Sequence, residues 1–138
     1  MPLADPLSLD SRRPLRVLYA DDVRELRDLV RLVVTKEGHA IDCAADGVEA
    51  LEMLAAHNYA YDLLITDHHM PRMNGRDLTV NVGRSAFRGK IMVFSSELDP
   101  AMTAEYQRLK VDRMLFKPVY PSYLRQVLRE LFPVPATA

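Results

Sequence analysis

Five short apolar runs alternating with five stretches of helical period predict an α/β fold: a doubly wound, five-stranded parallel sheet with helices on both faces. Two observations carry this. The apolar runs are strand-length and bounded by turn residues, and DLLIT (62–66) is apolar almost throughout, as in a strand covered on both sides. Between the runs, apolar residues recur at steps of three and four.

The elements follow in order. LRVLYA (15–20) predicts the first strand. Val23, Leu26, Val30 and Val33 then form a helical stripe, with Gly38 where a C-cap belongs. AIDCAA (40–45) is the second strand. GVEALEMLAAH (47–57) places Val48, Leu51, Leu54 and Ala55 on one helical face. DLLIT is the third strand, followed by a weaker helical stretch over 75–86. KIMVF (90–94) is the fourth strand, and the next helix sets Met102, Tyr106 and Leu109 on one face as ordinary core. DRMLF (112–116) is the fifth strand. The last helix, 121–131, carries a stripe of Leu124, Val127, Leu128 and Leu131.

The 138 residues suit one domain, with 49% hydrophobic and 27% charged residues. Residues 1–13 read as a flexible leader, 14–132 as the domain and 133–138 as a tail. A formal net charge of -1 offers no basic field for nucleic acid or an anionic membrane. The lone Cys43, in an apolar context, reads as a buried inert thiol. With no signal-peptide pattern and no run of about 20 apolar residues, a cytoplasmic protein is expected.

Ligand sites in open parallel sheets lie beyond the carboxyl ends of the strands. Here those ends carry Asp21-Asp22, Asp67, Ser95-Ser96 and Lys117-Pro118. Taken singly, an Asp-Asp pair reads as a helix N-cap, a lysine as a solvated loop charge and a Ser-Ser pair as a turn. Their joint placement at four strand ends favours a site. Three carboxylates in one crevice call for a hard divalent cation, Mg2+ or Mn2+. A lysine adds a fixed positive charge, and a hydroxyl can donate to an incoming oxyanion. Together they suit phosphoryl transfer onto Asp67.

These residues resemble the receiver (REC) domain of the two-component response-regulator family over about residues 15–132. DHHMPRMNG (67–75) is the strongest element, joined by YADD (19–22), DGVEAL (46–51) and FKP (116–118). The resemblance implies a flavodoxin-like fold with strand order 2-1-3-4-5. It implies Asp67 as phosphoacceptor, with Asp21, Asp22, Asp67 and the backbone carbonyl of His69 as Mg2+ ligands. Ser95 aligns with the switch hydroxyl, beside Ser96, and Lys117 with the family's lysine. Pro118 is expected after a cis bond. The implied partners are a sensor histidine kinase or histidine phosphotransfer protein, and a downstream protein at the face of the fourth helix, fifth strand and fifth helix. A monomer or weak dimer is expected. No direct contact with nucleic acid or membrane is expected. With only a short tail past the last helix, the chain is expected to be a stand-alone receiver or one belonging to a longer hybrid kinase.

Two positions depart from the family pattern. Met114 stands where an aromatic is usual, three residues before Lys117, and Lys110 stands where glycine is usual. Lys110 must therefore accept a positive φ or a different loop. His69 and Glu97, each two residues past a site residue, are expected to tune the lifetime of the phosphorylated state. As sequence neighbours, His68 and His69 are expected to point apart and share no metal. The rival readings are a receiver-like scaffold that does not use phosphorylation, and an aspartyl-phosphate phosphatase. The second is disfavoured because His69 occupies the third position of an Asp-x-Asp motif. A dinucleotide enzyme would need a Gly-rich turn after the first strand, and none is there.

Overall fold

A computed structural model describes residues 13–97 and 99–133. The first twelve residues and residues 134–138, which contain most of the expected leader and tail, lie outside the described residues. Five strands alternate with five helices. They are β1 (Arg16–Ala20), α1 (Arg24–Lys36), β2 (Ala40–Ala44), α2 (Gly47–Ala56), β3 (Leu63–Asp67), α3 (Gly75–Gly83), β4 (Lys90–Ser95), α4 (Pro100–Arg108), β5 (Arg113–Phe116) and α5 (Pro121–Leu131). All neighbouring strands pair in parallel, in the order β2-β1-β3-β4-β5. This is the order the resemblance implies.

Strand alternation divides the core in two. Val17, Tyr19, Leu63 and Ile65 face α1 and α5, packing on Val30, Val34, Leu124 and Val127. Leu18, Ala20 and Leu64 face the other way, against Leu54 of α2 and Leu78 and Val82 of α3. Every residue of β3 is buried, which explains its apolar start, Leu63–Ile65, ahead of the buried polar Thr66 and Asp67. Each buried aliphatic side chain contributes about 1.5–3 kcal/mol of transfer free energy. α4 is the exception among the helices, because Tyr106 is its one buried residue.

Helix ends follow local chemistry. Gly38, at φ 86, closes α1, with the His39 and Gly38 amides donating to the Val34 and Thr35 carbonyls. At the end of α4 the same two-bond closure is made by Lys110, at φ 62, with amides 110 and 111 bonded to the Gln107 and Tyr106 carbonyls. The chain thus takes the first of the two alternatives expected there.

Some details differ from the sequence reading. Val23 is the exposed cap of α1 rather than part of its buried stripe, because its amide is drawn to Asp21 Oδ1 at 2.9 Å. α2 is buried along Gly47, Ala50 and Leu54, while Ala55 is exposed. Cys43 is half-buried, and burial pushes its thiol up from the ordinary value. Arg13, assigned to the leader, makes a two-pronged ion pair with Asp62.

Candidate functional site

The order β2-β1-β3-β4-β5 places the ends of β1 and β3 side by side, so their terminal carboxylates share one crevice. Asp21 follows β1 directly and is fully buried. Asp22 is exposed, and Asp67, the last residue of β3, is 6% exposed. One oxygen from each lies within 4.8 Å of the others. Lys117, just past β5, brings its Nζ to 2.7 Å from Asp67 Oδ1 and 3.6 Å from Asp21 Oδ2. The Lys117–Pro118 peptide is cis.

Asp21 is held firmly. The buried Tyr19 hydroxyl donates to its Oδ2 at 2.5 Å, the Val23 amide donates to Oδ1, and Arg27 donates to its carbonyl at 2.8 Å. Burial, then the Asp21 charge, pushes the Tyr19 phenol far above its usual value, so it remains a donor. Asp67 feels opposing influences. Burial raises its carboxyl, the Lys117 hydrogen bond lowers it, and Asp21 and Asp22 raise it again; the sum is a raised pKa. Three carboxylates against one lysine leave an excess of negative charge that suits a cation. The all-oxygen donor set fits Mg2+ or Mn2+. Among the described residues no donor bonds the His69 carbonyl, which leaves it available as a further oxygen ligand.

The loop after β3 is fixed by its own sequence. Asn74 caps α3 by accepting from the Asp77 amide at 2.8 Å. The Gly75 amide donates to the His68 carbonyl at 2.8 Å. A side chain at 75 would meet the Asp67 carbonyl oxygen at 2.4 Å, so only glycine lets the helix start this close to the carboxylate. Arg72, at φ 65, holds Asp46 with two hydrogen bonds, at 3.0 and 3.1 Å.

Ser95 is buried at the end of β4, and its Oγ is engaged with the backbone of Glu97, accepting from the amide at 3.1 Å. Ser96 is exposed. Met114 is half-buried on β5.

The histidines do not point apart. Their rings sit 4.6 Å between centroids, edge to face. The His68 amide prolongs the ladder by donating to the Phe94 carbonyl, after which the chain turns. His68 Nδ1 and the Tyr106 hydroxyl form a 2.6 Å hydrogen bond, and His69 Nε2 is hydrogen-bonded to Glu97. Burial, then His69, lowers the His68 pKa. Tyr106 reads from the sequence as a core residue. Its hydroxyl contact depends on which loop arrives beside α4, and no spacing signals it. Tyr19 belongs to the YADD motif, and its bond to Asp21 follows from the two-residue strand period.

A profile of the response regulator receiver domain matches residues 17–129. The chain is 35% identical over 104 residues to the Regulator of RpoS of Escherichia coli, a match covering 75% of this chain and 30% of that protein. It is 28% identical over 123 residues to the sensory/regulatory protein RpfC of Xanthomonas campestris, covering 86% of this chain and 17% of that protein. It therefore spans a third or less of these relatives. Among solved structures, the chemotaxis response regulator CheY4 of Vibrio cholerae superposes with a TM-score of 0.78 at 27% identity, covering 86% of this chain and 99% of that one.

Proposed function

Because the chain belongs to the response regulator receiver domain family of two-component systems, we propose that it is a phosphorylation-switched signalling module in which Asp67 accepts a phosphoryl group from a partner's phosphohistidine. The observation that carries this reading is the grouping at Asp67: a buried carboxylate at a strand end, with Lys117 Nζ 2.7 Å away and Asp21 and Asp22 beside it.

An Asp67 oxygen forms the new O–P bond as the donor's N–P bond breaks, and the donor imidazole keeps the electron pair. The work of this chain's residues is positioning and charge compensation. Asp21, Asp22, Asp67 and the His69 carbonyl would hold Mg2+. When bound, the ion neutralises the carboxylates and the incoming phosphoryl oxygens. Lys117, now paired with Asp67, shifts to the added dianion. The Ser95 hydroxyl leaves its turn with Glu97 to donate to a phosphoryl oxygen. Side chains of His69 and Glu97, joined across the mouth of the site, screen the acyl phosphate from water and set its lifetime.

The donor is a sensor histidine kinase or a histidine phosphotransfer protein. An apolar groove lined by Leu29, Tyr120 and Pro121 shares Lys117 with the acid crevice. A donor helix seated there brings its histidine to Asp67. The signal leaves through α4, β5 and α5, where Phe116 and Tyr123 are exposed apolar contacts for a downstream protein. With Met114 at the usual aromatic position, no ring stands there on β5 to rotate inward.

The test is incubation with phosphoramidate or acetyl phosphate and Mg2+, followed by intact-mass measurement. The expected result is a gain of one phosphoryl group, absent in Asp67→Asn. No gain from small donors or from a cognate kinase would overturn the reading.

A further inference from the structure

A second cluster of ligating groups lies outside the carboxylate crevice. β3 and β4 are neighbours, with Asp67 opposite Phe94. The residues just past their ends therefore face each other across adjoining loops. One ring nitrogen each of His68 and His69 and one carboxylate oxygen of Glu97 lie within 4.8 Å of one another. His69 and Glu97 are exposed, so an ion can reach them, while His68 is half-buried beneath.

We propose that His68, His69 and Glu97 form a second divalent-cation site, one that takes an imidazole-preferring ion such as Zn2+ and is separate from the carboxylate trio. The donor sets differ in kind. Asp21, Asp22 and Asp67 offer only oxygen, which suits Mg2+. Two imidazoles and a carboxylate suit Zn2+, with a fourth position left for water. Ligand atoms about 2.0–2.2 Å from such an ion fall within the spacing seen here after small side-chain rotations. Metal-binding histidines are held in place by a partner on the opposite ring nitrogen. His68 has one: its Nδ1 lies 2.6 Å from the buried Tyr106 hydroxyl, and in the tautomer whose Nδ1–H donates there, Nε2 keeps its lone pair for the ion. His69 and Glu97 already share a hydrogen bond that the ion would replace with two metal–ligand bonds. The bound ion ties the β3–α3 loop to the β4–α4 loop. The site stands on these three donors and needs no phosphoryl group to form, although a bound ion would hold the same His69 and Glu97 side chains that stand at the mouth of the carboxylate crevice.

The other two histidines are poor alternatives. His39 accepts from the Leu15 amide through Nδ1, and His57 stands apart against Tyr61. The experiment is calorimetric titration of the whole chain with zinc chloride in excess Mg2+, paired with imidazole 15N spectra of the unmutated protein. The expected result is binding of a single Zn2+ that shifts the His68 and His69 resonances and leaves those of His39 and His57 in place. His69→Ala and Glu97→Gln, both at exposed positions, should weaken it by at least about tenfold, and Tyr106→Phe by up to about tenfold. His57→Ala should bind as the parent does. Absence of binding, shifts confined to His39 or His57, or loss of binding in Asp22→Asn but not in His69→Ala would overturn the proposal.

Discussion

Lys117 stands between two buried carboxylates, 2.7 Å from Asp67 and 3.6 Å from Asp21, and is the residue that compensates their charge in this structure. Removing the ammonium leaves the crevice more negative, which disfavours the ion-free fold and favours a cation. Lys117→Met should lower the melting temperature in EDTA and raise Mg2+ affinity several-fold, as read by calorimetry. Unchanged Mg2+ affinity would mean that Lys117 does not compete with the ion.

Tyr106→Phe removes one hydroxyl and leaves the half-buried Nδ1 of His68 without its partner. Loss of such a bond costs about 1 kcal/mol. Because Tyr106 is the single buried residue of α4, the loss should concentrate there. Hydrogen exchange of the α4 amides should speed up while that of β1 and β3 stays the same.

Lys110 holds φ 62 where glycine would be unstrained. A side chain in this conformation costs about 1–2 kcal/mol, partly offset by the greater freedom of glycine in the unfolded chain. Lys110→Gly should therefore stabilise the domain by about 1 kcal/mol in urea unfolding. Gly38→Ala, at φ 86, should move stability the other way by a similar amount.

Asp46 caps α2 by accepting from the Glu49 amide at 2.8 Å and also holds Arg72. The amide bond, then the Arg72 hydrogen bond, keep its carboxyl below the ordinary 3.8 despite the opposing effect of burial. A depressed folded value means that the stabilisation is fully present above the unfolded value and is lost as pH falls through the folded one. Asp46→Asn keeps a capping oxygen but no charge, so its stability should fall less steeply below pH 3.8 than that of the parent. Asp46→Ala should lose about 1 kcal/mol at neutral pH. Urea midpoints across the acid range test both.

The architecture was readable because burial dictates residue type. β3 is covered on both faces and so is apolar from Leu63 to Ile65, and the α5 stripe of Leu124, Val127 and Leu128 is buried as its period requires. Strand ends were less readable. Asp67 and Ser95 still pair with Phe94 and Phe116, because backbone ladders are indifferent to side-chain polarity. The meeting of Asp21, Asp67 and Lys117 followed from topology alone. What topology could not supply was the path of a turning loop. As sequence neighbours His68 and His69 are expected to point apart, yet the turn after His68 sets their rings together. For the same reason Tyr106 gave no sign that its hydroxyl would find His68.

The Tyr106–His68 bond joins the helix with the fewest buried residues to the residue that follows Asp67. Thermodynamic reciprocity then constrains any protein that grips α4. If phosphorylation of Asp67 tightens that grip by some factor, the grip must favour the phosphorylated form by the same factor. Part of the coupling can be entropic, since a loosely anchored helix loses motion when it is bound. A downstream partner would thus be more than a reader of the signal: its concentration would help decide how much phosphorylated protein the system holds.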